Sequence, residues 1–545
     1  MVANMNTLRE NCNTARLFYN GFIRTMDDTD PNASVLAVRD GRIVYAGNDF
    51  SVGAACAGGG AERVDLQGFA VVPGLTDSHQ HFIMEGIRLG EMDIRQKTKD
   101  AVLEEVAARA KMLRPGEWIV GRGWNNEMWA TKEWPTKEDL DAVAPENPVA
   151  LTRLDGHSLW VNSAALRLAG MDKTAADHPG GEILRNEDGE LKGILVDTPM
   201  FRIRSIIPPF TEDQKREACL RTQEEMFRYG ITSVGDAWQS PEDHDFLKRL
   251  YASGDLGIRV YGMLNSRNPD DSPYLGPFIP PVTDLFDGRL SLRAFKVVLD
   301  GSFGSRSAWL TQDYADRPGH RGSGRYTDEK LYGLMARAVE RGFQVCVHAI
   351  GDAAVLQAVG VFERLYRDYP ENRLRHRIEH FQTASAATVA RALAMGIIPA
   401  MQTIHAAADK HMAASRLPTP LLAESYPWRQ VLDAGGIIAN GSDSPMDGAN
   451  PFHGYHAAIS RTAFEGLDGK TVRYSLTRKE ALKSYTLWAA VAELAADRKG
   501  SLSPGKFADF AVLDRDIITC PEDDTRKTRV LMTVLAGETV YGGNL

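Results

Sequence analysis

Residues 71–82 read Val-Val-Pro-Gly-Leu-Thr-Asp-Ser-His-Gln-His-Phe, and this stretch decides the fold. It opens as a buried strand, after which Asp77, His79 and His81 alternate with their neighbours at the period of an extended chain. That period predicts that the three side chains lie on one face, where two neutral imidazoles can bind one divalent cation. The histidine pair by itself is equally compatible with two structural or exposed histidines, so the rest of the chain must decide.

The bulk composition indicates a soluble enzyme. The chain has 545 residues, of which 43% are hydrophobic, enough for a large core. Its 63 basic and 72 acidic side chains are interleaved and give a net charge of -9, which argues against nucleic acid or an anionic membrane as a partner. The five cysteines are scattered and form no Cys-x-x-Cys pair, which favours a reducing cytoplasm. The sequence contains no run of about 18 apolar residues, so no membrane-spanning helix is predicted.

Short strand-like segments separated by turns occur at both ends of the chain. Residues 15–70 carry several of them, and residues 508–513 and 529–541 carry more. We therefore predict one small β-sandwich built from residues 1–70 and 491–545. Residues 71–490 then form a single inserted body, which has a long insertion of its own at about 84–230.

Eight apolar, strand-like runs separated by helical stretches occupy the inserted body, the pattern of a parallel sheet closed by crossovers. The predicted strands are 70–77, 231–236, 258–264, 292–299, 343–349, 376–380, 396–402 and 436–441. Chemically useful residues lie at or just past the C-terminal ends of several strands, where barrel enzymes place their active sites. The sequence therefore predicts an α/β barrel with its site at that end.

Four of these strand-end residues accompany the two histidines of residues 71–82. Lys296 ends the fourth predicted strand, His348 the fifth and His380 the sixth, and Asp443 follows the eighth. Four imidazoles, one lysine and one aspartate at strand ends of one sheet suit a hard or borderline cation of the zinc type. The set predicts a metal centre.

Two residues of this set have a structural alternative. A buried lysine must be neutralised or paired, and an ion pair between Lys296 and Asp300 would satisfy it without a metal. Asp443 lies in Gly-Ser-Asp-Ser-Pro, where an aspartate could instead cap the next turn through its own backbone. The sequence leaves both alternatives open.

The long insertion holds much of the tryptophan. Trp124 and Trp129 fall in the loop-like segment 121–129 and could wall a pocket. Core packing is the alternative for each of them. We predict that they belong to the substrate pocket.

Several short motifs occur along the chain in a specific order and at specific spacings. They are Asn20-Gly21, Asp40-Gly-Arg-Ile43, Pro73-Gly-Leu-Thr-Asp-Ser-His-Gln-His81, Arg153-Leu-Asp-Gly-His157, Asn162-Ser-Ala-Ala-Leu166, Asp300-Gly-Ser302, His348-Ala-Ile-Gly-Asp352, Gly441-Ser-Asp-Ser-Pro445 and Gly500-Ser-Leu-Ser-Pro-Gly-Lys-Phe-Ala-Asp509. Together they resemble the amidohydrolase superfamily, and specifically its amidohydrolase-3 branch, which includes the N-substituted formamide deformylases. The resemblance runs through most of the chain.

The resemblance implies a distorted (β/α)8 TIM barrel flanked by a small β-sandwich, with metal ligands on strands one, four, five, six and eight. Carried over by position, His79 and His81 would bind the more buried metal, and a carboxylated Lys296 would bridge two metals. His348 and His380 would bind the second metal, and Asp443 would be the strand-eight aspartate. The implied cofactor is one or two divalent ions per chain, with zinc as the expected metal.

The remaining histidines receive separate predictions. Asp155-Gly-His157 resembles a family motif, and a histidine there could polarise a substrate carbonyl, so His157 is a catalytic candidate. His405 follows Gln402 in Gln-Thr-Ile-His, where relatives tend to have proline after the glutamine, which leaves its role open. Polar, loop-like surroundings predict surface positions for His178, His244, His320 and His411.

The predicted function is hydrolysis of a non-peptide carbon–nitrogen bond, in an amide or N-substituted formamide of a small molecule. Metal-activated hydroxide would be the nucleophile, because a bound cation lowers the pKa of water from about 15.7 to about 7. Asp443 would orient it and deliver a proton to the departing nitrogen. A deaminase or a lactone or ester hydrolase would use the same barrel, and a catalytically inactive binding protein is the remaining alternative. A homodimer is a possible assembly.

Overall fold

The computed structural model describes residues 15–154, 156–176, 181–265, 280–372, 374–460, 475–543 and 545. Asp155, His178 and the side chain of His411, which carry sequence-based assignments, lie outside these residues. Two compact units make up the chain: Met1–Glu85 with Cys219–Leu545, and Gly86–Ala218. The smaller unit falls within the predicted insertion, and the predicted domain boundaries near residues 70 and 490 stay predictions.

Eight parallel strands pair side by side in sequence order and form a barrel in the larger unit. They are Leu75–Gln80, Ile231–Gln239, Arg259–Asn265, Leu290–Val298, Gln344–Ala349, Arg377–His380, Ile398–Met401 and Ala439–Asn440. Hydrogen bonds just past the last strand join it to the first, because Asp443 N–H donates to His79 O (2.7 Å) and His81 N–H donates to Ser444 O (2.8 Å). The predicted α/β class and TIM-like barrel are therefore confirmed.

The first predicted barrel strand, 70–77, is two strands in the structure. Ala70–Pro73 belongs to a different sheet, and Leu75–Gln80 begins the barrel. Pro73 has no amide hydrogen with which to continue a ladder. A Cβ at Gly74 would lie 2.2 Å from Thr232 Oγ1, so the chain changes sheets at a point where only glycine fits.

Strands from both ends of the chain form one eight-stranded sheet. Seven lie in the order Glu538–Gly542, Val530–Leu535, Phe510–Leu513, Ala70–Pro73, Arg16–Arg24, Asn32–Arg39 and Arg42–Gly47, and the eighth, Glu62–Asp65, pairs with Arg16–Arg24. Phe18 and Phe510 meet edge to face in its core, with ring centroids 4.9 Å apart. Apolar side chains from the two termini therefore share one core.

Helices alternate with the barrel strands and continue past the last one. Those of the larger unit are Phe50–Ala57, Pro241–Ser253, Leu285–Gly288, Asp328–Glu340, Asp352–Asp368, Ala386–Ala394, Thr403–Arg416, Thr419–Ala423, Trp428–Asp433, Pro451–Ile459, Arg478–Ser484 and Leu487–Ala492. The chain enters the smaller unit in Phe82–Gly90 and leaves it in Glu212–Arg228. Pro241–Ser253 shows how the sequence sets such bounds, because Ser240 and Asp243 form a reciprocal capping box at its start and Gly254 ends it in a left-handed conformation. None of the described helices combines the length and apolar character that crossing a bilayer requires.

The smaller unit has a sheet of its own. Its six strands lie in the order Gly181–Arg185, Leu191–Asp197, Ser158–Val161, Val149–Arg153, Ile119–Trp124 and Met92–Asp93. Its helices are Lys99–Met112, Lys137–Asp141, Ser163–Leu168 and Met200–Arg204. The segment 121–129, predicted as a loop, completes the strand Ile119–Trp124 and then forms a short 3-10 helix, Asn126–Met128.

His244 is a core residue, so the prediction of a surface position is wrong. It lies in the helix Pro241–Ser253 with 3% of its surface exposed. Within the described part of the chain neither of its ring nitrogens has a hydrogen-bond partner. Loss of solvation lowers the pKa of His244 to about 4, and the charge of Lys248 adds to this effect. The imidazole is therefore neutral at pH 7.

We expect the free energy of unfolding to fall as the pH drops from 6.5 towards 4. The unfolded chain takes up a proton on His244 near its ordinary pKa of 6.5, whereas the folded chain resists protonation down to about 4. Acid therefore favours unfolding by up to about 3 kcal/mol at this one residue. His244→Leu should remove this part of the pH dependence, measured by urea unfolding between pH 7 and pH 4.5. Parallel pH profiles for the variant and the wild type would contradict the assignment.

Candidate metal centre

The six predicted metal ligands lie together at the C-terminal end of the barrel. Four belong to the first, fourth, fifth and sixth strands, and these are His79, Lys296, His348 and His380 in that order. His81 follows the first strand and Asp443 follows the eighth. Parallel strands present their C-terminal ends at one edge, which is why residues so far apart in sequence meet there. Their role as metal ligands stays a prediction, and the distances between their donor atoms can be compared with those around a bound cation.

Asp443 lies close to both His79 and His81. Its Oδ1 lies 3.1 Å from His81 Nε2 and 3.4 Å from His79 Nε2. Two ligands of a tetrahedral zinc ion, each about 2.1 Å from the metal, are about 3.4 Å apart. The two distances to Asp443 are close to this value, and the donor atoms of all three residues lie within 4.8 Å of one another, a group that could hold one cation. Among the described residues no backbone N–H donates to this carboxylate, so the structure does not show the turn cap that was the alternative.

The other predicted ligands surround the same point. The ring centroid of His380 lies 4.3 Å from that of His348 and 4.8 Å from that of His79. His380 Nδ1 donates to Gln402 Oε1 at 2.7 Å, so its Nε2 keeps a lone pair for a ligand. Lys296 Nζ lies 3.4 Å from His79 Nε2. The donor set, with its imidazole nitrogens and one carboxylate, fits a zinc-type cation.

Burial keeps three imidazoles of this group neutral. Loss of solvation lowers the pKa of His79 to about 4 and that of His348 to about 3, and the charge of Lys296 adds to both shifts. Burial also lowers the pKa of His380 well below its ordinary value. Neutral imidazole is the form that binds metals, so these side chains are in that form at neutral pH.

Lys296 is buried, and loss of solvation lowers the pKa of its amine. The alternative partner, Asp300, is engaged elsewhere, because its carboxylate accepts hydrogen bonds from three backbone N–H groups at 2.9–3.0 Å. Among the described residues no ion pair joins Asp300 to Lys296. The ion pair that would have explained this lysine without a metal is therefore not observed.

Asp77 holds the turn that carries Asp443. Its carboxylate accepts hydrogen bonds from Ser442 N–H (2.9 Å) and from Ser442 Oγ–H (2.5 Å). Gly441 permits this approach, since a Cβ there would lie 2.6 Å from His79 N. Asp443 adopts a positive φ of 58°, a conformation that costs a non-glycine residue on the order of 1–3 kcal/mol and must be held by its surroundings.

His405, whose role the sequence left open, also lies at the centre. It belongs to the helix Thr403–Arg416, and its Nε2 lies 3.9 Å from Asp443 Oδ2 and 3.4 Å from Asp447 Oδ2. One donor atom from each of His380, His405 and Asp443 lies within 4.8 Å of the others, a second group that could hold a cation. Asp447 was missed because an acidic residue in a loop carries no signal of its own.

The sequence-based prediction of the site also missed two charged residues of the barrel interior. Arg377 and Glu379 are fully buried in the sixth strand and form an ion pair, with 2.7 Å between Arg377 Nε and Glu379 Oε1. Glu379 Oε2 lies 2.5 Å from His79 Nδ1. Opposite charges at positions i and i+2 of an otherwise apolar strand were the available signal, because such residues share one face.

His157 lies in the smaller unit. Its Nδ1 is 2.7 Å from Asp197 Oδ1, and both side chains are exposed, by 74% and 48%. This contact orients the imidazole on the surface of that unit. Its role in polarising a substrate carbonyl stays a prediction.

Trp124 and Trp129 pack in the core of the smaller unit. Trp124 is fully buried and its indole N–H donates to Leu151 O at 2.7 Å, while Trp129 donates to Lys97 O at 3.0 Å. Their rings stack with centroids 6.0 Å apart. These contacts are those of core packing, which the sequence offered as the alternative. A part in the substrate pocket stays a prediction.

Trp124→Ala should destabilise the protein by about 3–5 kcal/mol, the range for truncating a large buried aromatic side chain. The variant also removes the hydrogen bond from the indole N–H to Leu151 O. Thermal unfolding measures the loss, and metal content serves as the control because the residue does not belong to the barrel unit. A changed ranking of substrates at an unchanged melting temperature would instead support the pocket assignment.

Comparison with known proteins gives matches along nearly the whole chain. The amidohydrolase family profile matches residues 62–541. The chain is 31% identical over 539 residues to Protein LONG AFTER FAR-RED 3 of Arabidopsis thaliana, covering 96% of this chain and 91% of that one. It is 26% identical over 539 residues to the N-substituted formamide deformylase of Arthrobacter pascens, with coverages of 96% and 98%. An uncharacterized metal-dependent hydrolase from Pyrococcus horikoshii has a similar structure, with a TM-score of 0.77, 27% identity and coverages of 94% and 99%.

Proposed function

The chain belongs to the amidohydrolase family of metal-dependent hydrolases, and on that premise we propose that it cleaves a non-peptide carbon–nitrogen bond, in an amide or N-substituted formamide. The observation that carries the proposal is the meeting of His79, His81 and Asp443 at spacings that one cation accepts. Similarity to an N-substituted formamide deformylase supports the bond type. The substrate is a small molecule, as for enzymes of this family, while a homodimer and a cytoplasmic location stay predictions.

The proposed cofactor is Zn²⁺, one or two ions per chain. The residues that would hold it are His79, His81, His348, His380, Asp443 and a carboxylated Lys296. Imidazole and carboxylate donors suit zinc among the common divalent ions. When bound, the cation lowers the pKa of a water molecule to about 7 and polarises a carbonyl group.

Lys296 is the proposed bridge between two ions. Burial lowers the pKa of its amine and so favours the neutral, nucleophilic form. The amine nitrogen then bonds to the carbon of carbon dioxide and releases one proton, which leaves a carbamate anion. That anion would lie among neutral imidazoles, with His79 Nε2 at 3.4 Å from the lysine nitrogen. A positive ammonium in the same place would repel a cation.

Asp443 is the proposed proton carrier. Burial would raise its pKa, but the hydrogen bond with His81 opposes burial, and the pKa of Asp443 lies well below its ordinary value. The group is therefore a carboxylate at neutral pH. One of its oxygens can accept a proton from the attacking water and then deliver it to the departing nitrogen.

A substrate panel tests the proposed function. Zn²⁺-loaded protein is offered formamides, acylated amines, ureas, lactones and aminopyrimidines, and product formation is measured with Asp443→Asn as the control for contaminating hydrolases. We expect turnover of at least one formamide or acylated amine, abolished by a chelator. Turnover confined to lactones or aminopyrimidines would favour an esterase or a deaminase. A protein that binds no cation and turns over nothing would favour the inactive binding protein.

A further inference from the structure

The sixth barrel strand carries a buried pair of opposite charges that the proposed reaction does not use. Arg377 and Glu379 are each 0% exposed. Arg377 Nη2 donates to Glu379 Oε2 at 3.0 Å and to Ser78 O at 2.9 Å. Arg377 Nε also lies 2.7 Å from Glu379 Oε1, so both carboxylate oxygens face a guanidinium group, which can only donate hydrogen bonds. The pair is therefore ionised and has no net charge.

Glu379 uses the same oxygen to contact the metal centre. Its Oε2 lies 2.5 Å from His79 Nδ1, a contact between residues 300 positions apart. An ionised carboxylate can only accept a hydrogen bond, so His79 must donate its Nδ1–H, and a neutral imidazole then keeps its lone pair on Nε2. His79 Nε2 is the atom that lies 3.4 Å from Asp443 Oδ1 and 3.4 Å from Lys296 Nζ. The carboxylate thus selects the tautomer that can bind a cation at this point.

Among the residues that the structure describes, the other three imidazoles of the centre have no carboxylate as close to a ring nitrogen as Glu379 is to His79 Nδ1. His380 Nδ1 meets the neutral amide oxygen of Gln402 at 2.7 Å. His348 Nε2 lies 3.5 Å from the Asp300 carboxylate. In the described part of the chain His81 Nδ1 is buried without a partner. A carboxylate at hydrogen-bond distance makes the far nitrogen of a histidine a stronger metal ligand, so His79 is the best-supported donor of the four.

We propose that Glu379, paired with Arg377, is a positioning residue that fixes the orientation and tautomer of His79 and strengthens cation binding without touching cation or substrate. This inference rests on the proposed cation site. Stability alone does not explain the pair, because well-packed apolar residues in place of a buried ion pair often leave a protein equally stable or more stable.

The decisive measurement is the Zn²⁺ affinity of the full-length protein, obtained by competition with a fluorescent chelator. Glu379→Gln should weaken it roughly 10- to 100-fold. The single variant leaves Arg377 buried and unpaired, which also destabilises the fold. The double variant Arg377→Met with Glu379→Gln removes both charges, so we expect the melting temperature to recover towards that of the wild type while the affinity stays low.

Asp509→Asn is the matched control. Asp509 forms a buried ion pair with Arg259 at 2.6 Å in the same unit. The control should lower the melting temperature and leave the Zn²⁺ affinity unchanged. Recovery of affinity together with stability in the double variant, or an equal loss of affinity in Asp509→Asn, would overturn the proposal.

A second readout does not depend on whether a variant folds. Nitrogen-15 labelling of histidine in the metal-free wild-type protein reports the tautomer of His79, assigned by comparison with His79→Gln. We expect the proton on Nδ1, and a proton on Nε2 overturns the proposal. Wild-type protein that binds no Zn²⁺ refutes the proposed function, whereas unchanged affinity in Glu379→Gln refutes this inference alone.

Discussion

Asp443→Asn should lower turnover roughly 100- to 10,000-fold, the contribution that general acid–base catalysis typically makes. The variant keeps the size of the side chain and removes the carboxylate that is proposed to move the proton. Folding should persist, because asparagine tolerates the left-handed conformation that Asp443 adopts at a φ of 58°. The experiment measures kcat on the best substrate of the panel together with bound zinc and the melting temperature.

The control for this variant is Asp509→Asn, which removes a buried carboxylate elsewhere in the same unit. We expect it to retain turnover per folded molecule. Near-normal turnover in Asp443→Asn would show that the carboxylate is not the proton carrier. Loss of all bound zinc in that variant would instead make Asp443 chiefly a ligand.

Lys296→Ala should lose bound zinc as well as turnover. The proposed carbamate is the one anion that would bridge two cations, and alanine cannot form it. Elemental analysis of the purified variant measures the metal, and added propionate should restore part of the activity by supplying a carboxylate. Unmodified lysine at position 296 in a zinc-loaded crystal would refute the bridge.

Lys499→Ala is the matched control for Lys296→Ala. Lys499 is also buried in the larger unit, but its amine contacts Glu493 at 2.5 Å. This control should lower stability and keep the metal. Equal loss of zinc in both variants would mean that removing any buried lysine disturbs the fold enough to release the cation.

The barrel could be predicted from the sequence because its signals are local. Apolar runs of strand length, separated by helical stretches, predicted strands at 231–236 and 343–349. The structure has strands at Ile231–Gln239 and Gln344–Ala349. The first strand was misplaced, since the change of sheet at Pro73 and Gly74 depends on a neighbour, Thr232, that no local pattern reveals. His244 was misassigned for a similar reason, because its polar neighbours along the helix hide the one face that is buried.

The sequence by itself determined which predicted ligands lie together, since residues at the C-terminal ends of parallel strands must meet at one edge. Only the tertiary structure decided the partner of each donor. His79 contacts Glu379, Asp77 contacts Ser442, and His405 contacts Asp447. The first two contacts join residues more than 290 positions apart. The contact of Asp77 depends on the register with which the eighth strand closes on the first, whereas that of His79 crosses from the first strand to the sixth. Strand periodicity specifies which face a side chain occupies, but contacts of 2.5–3.4 Å require positions that only closure of the whole barrel sets.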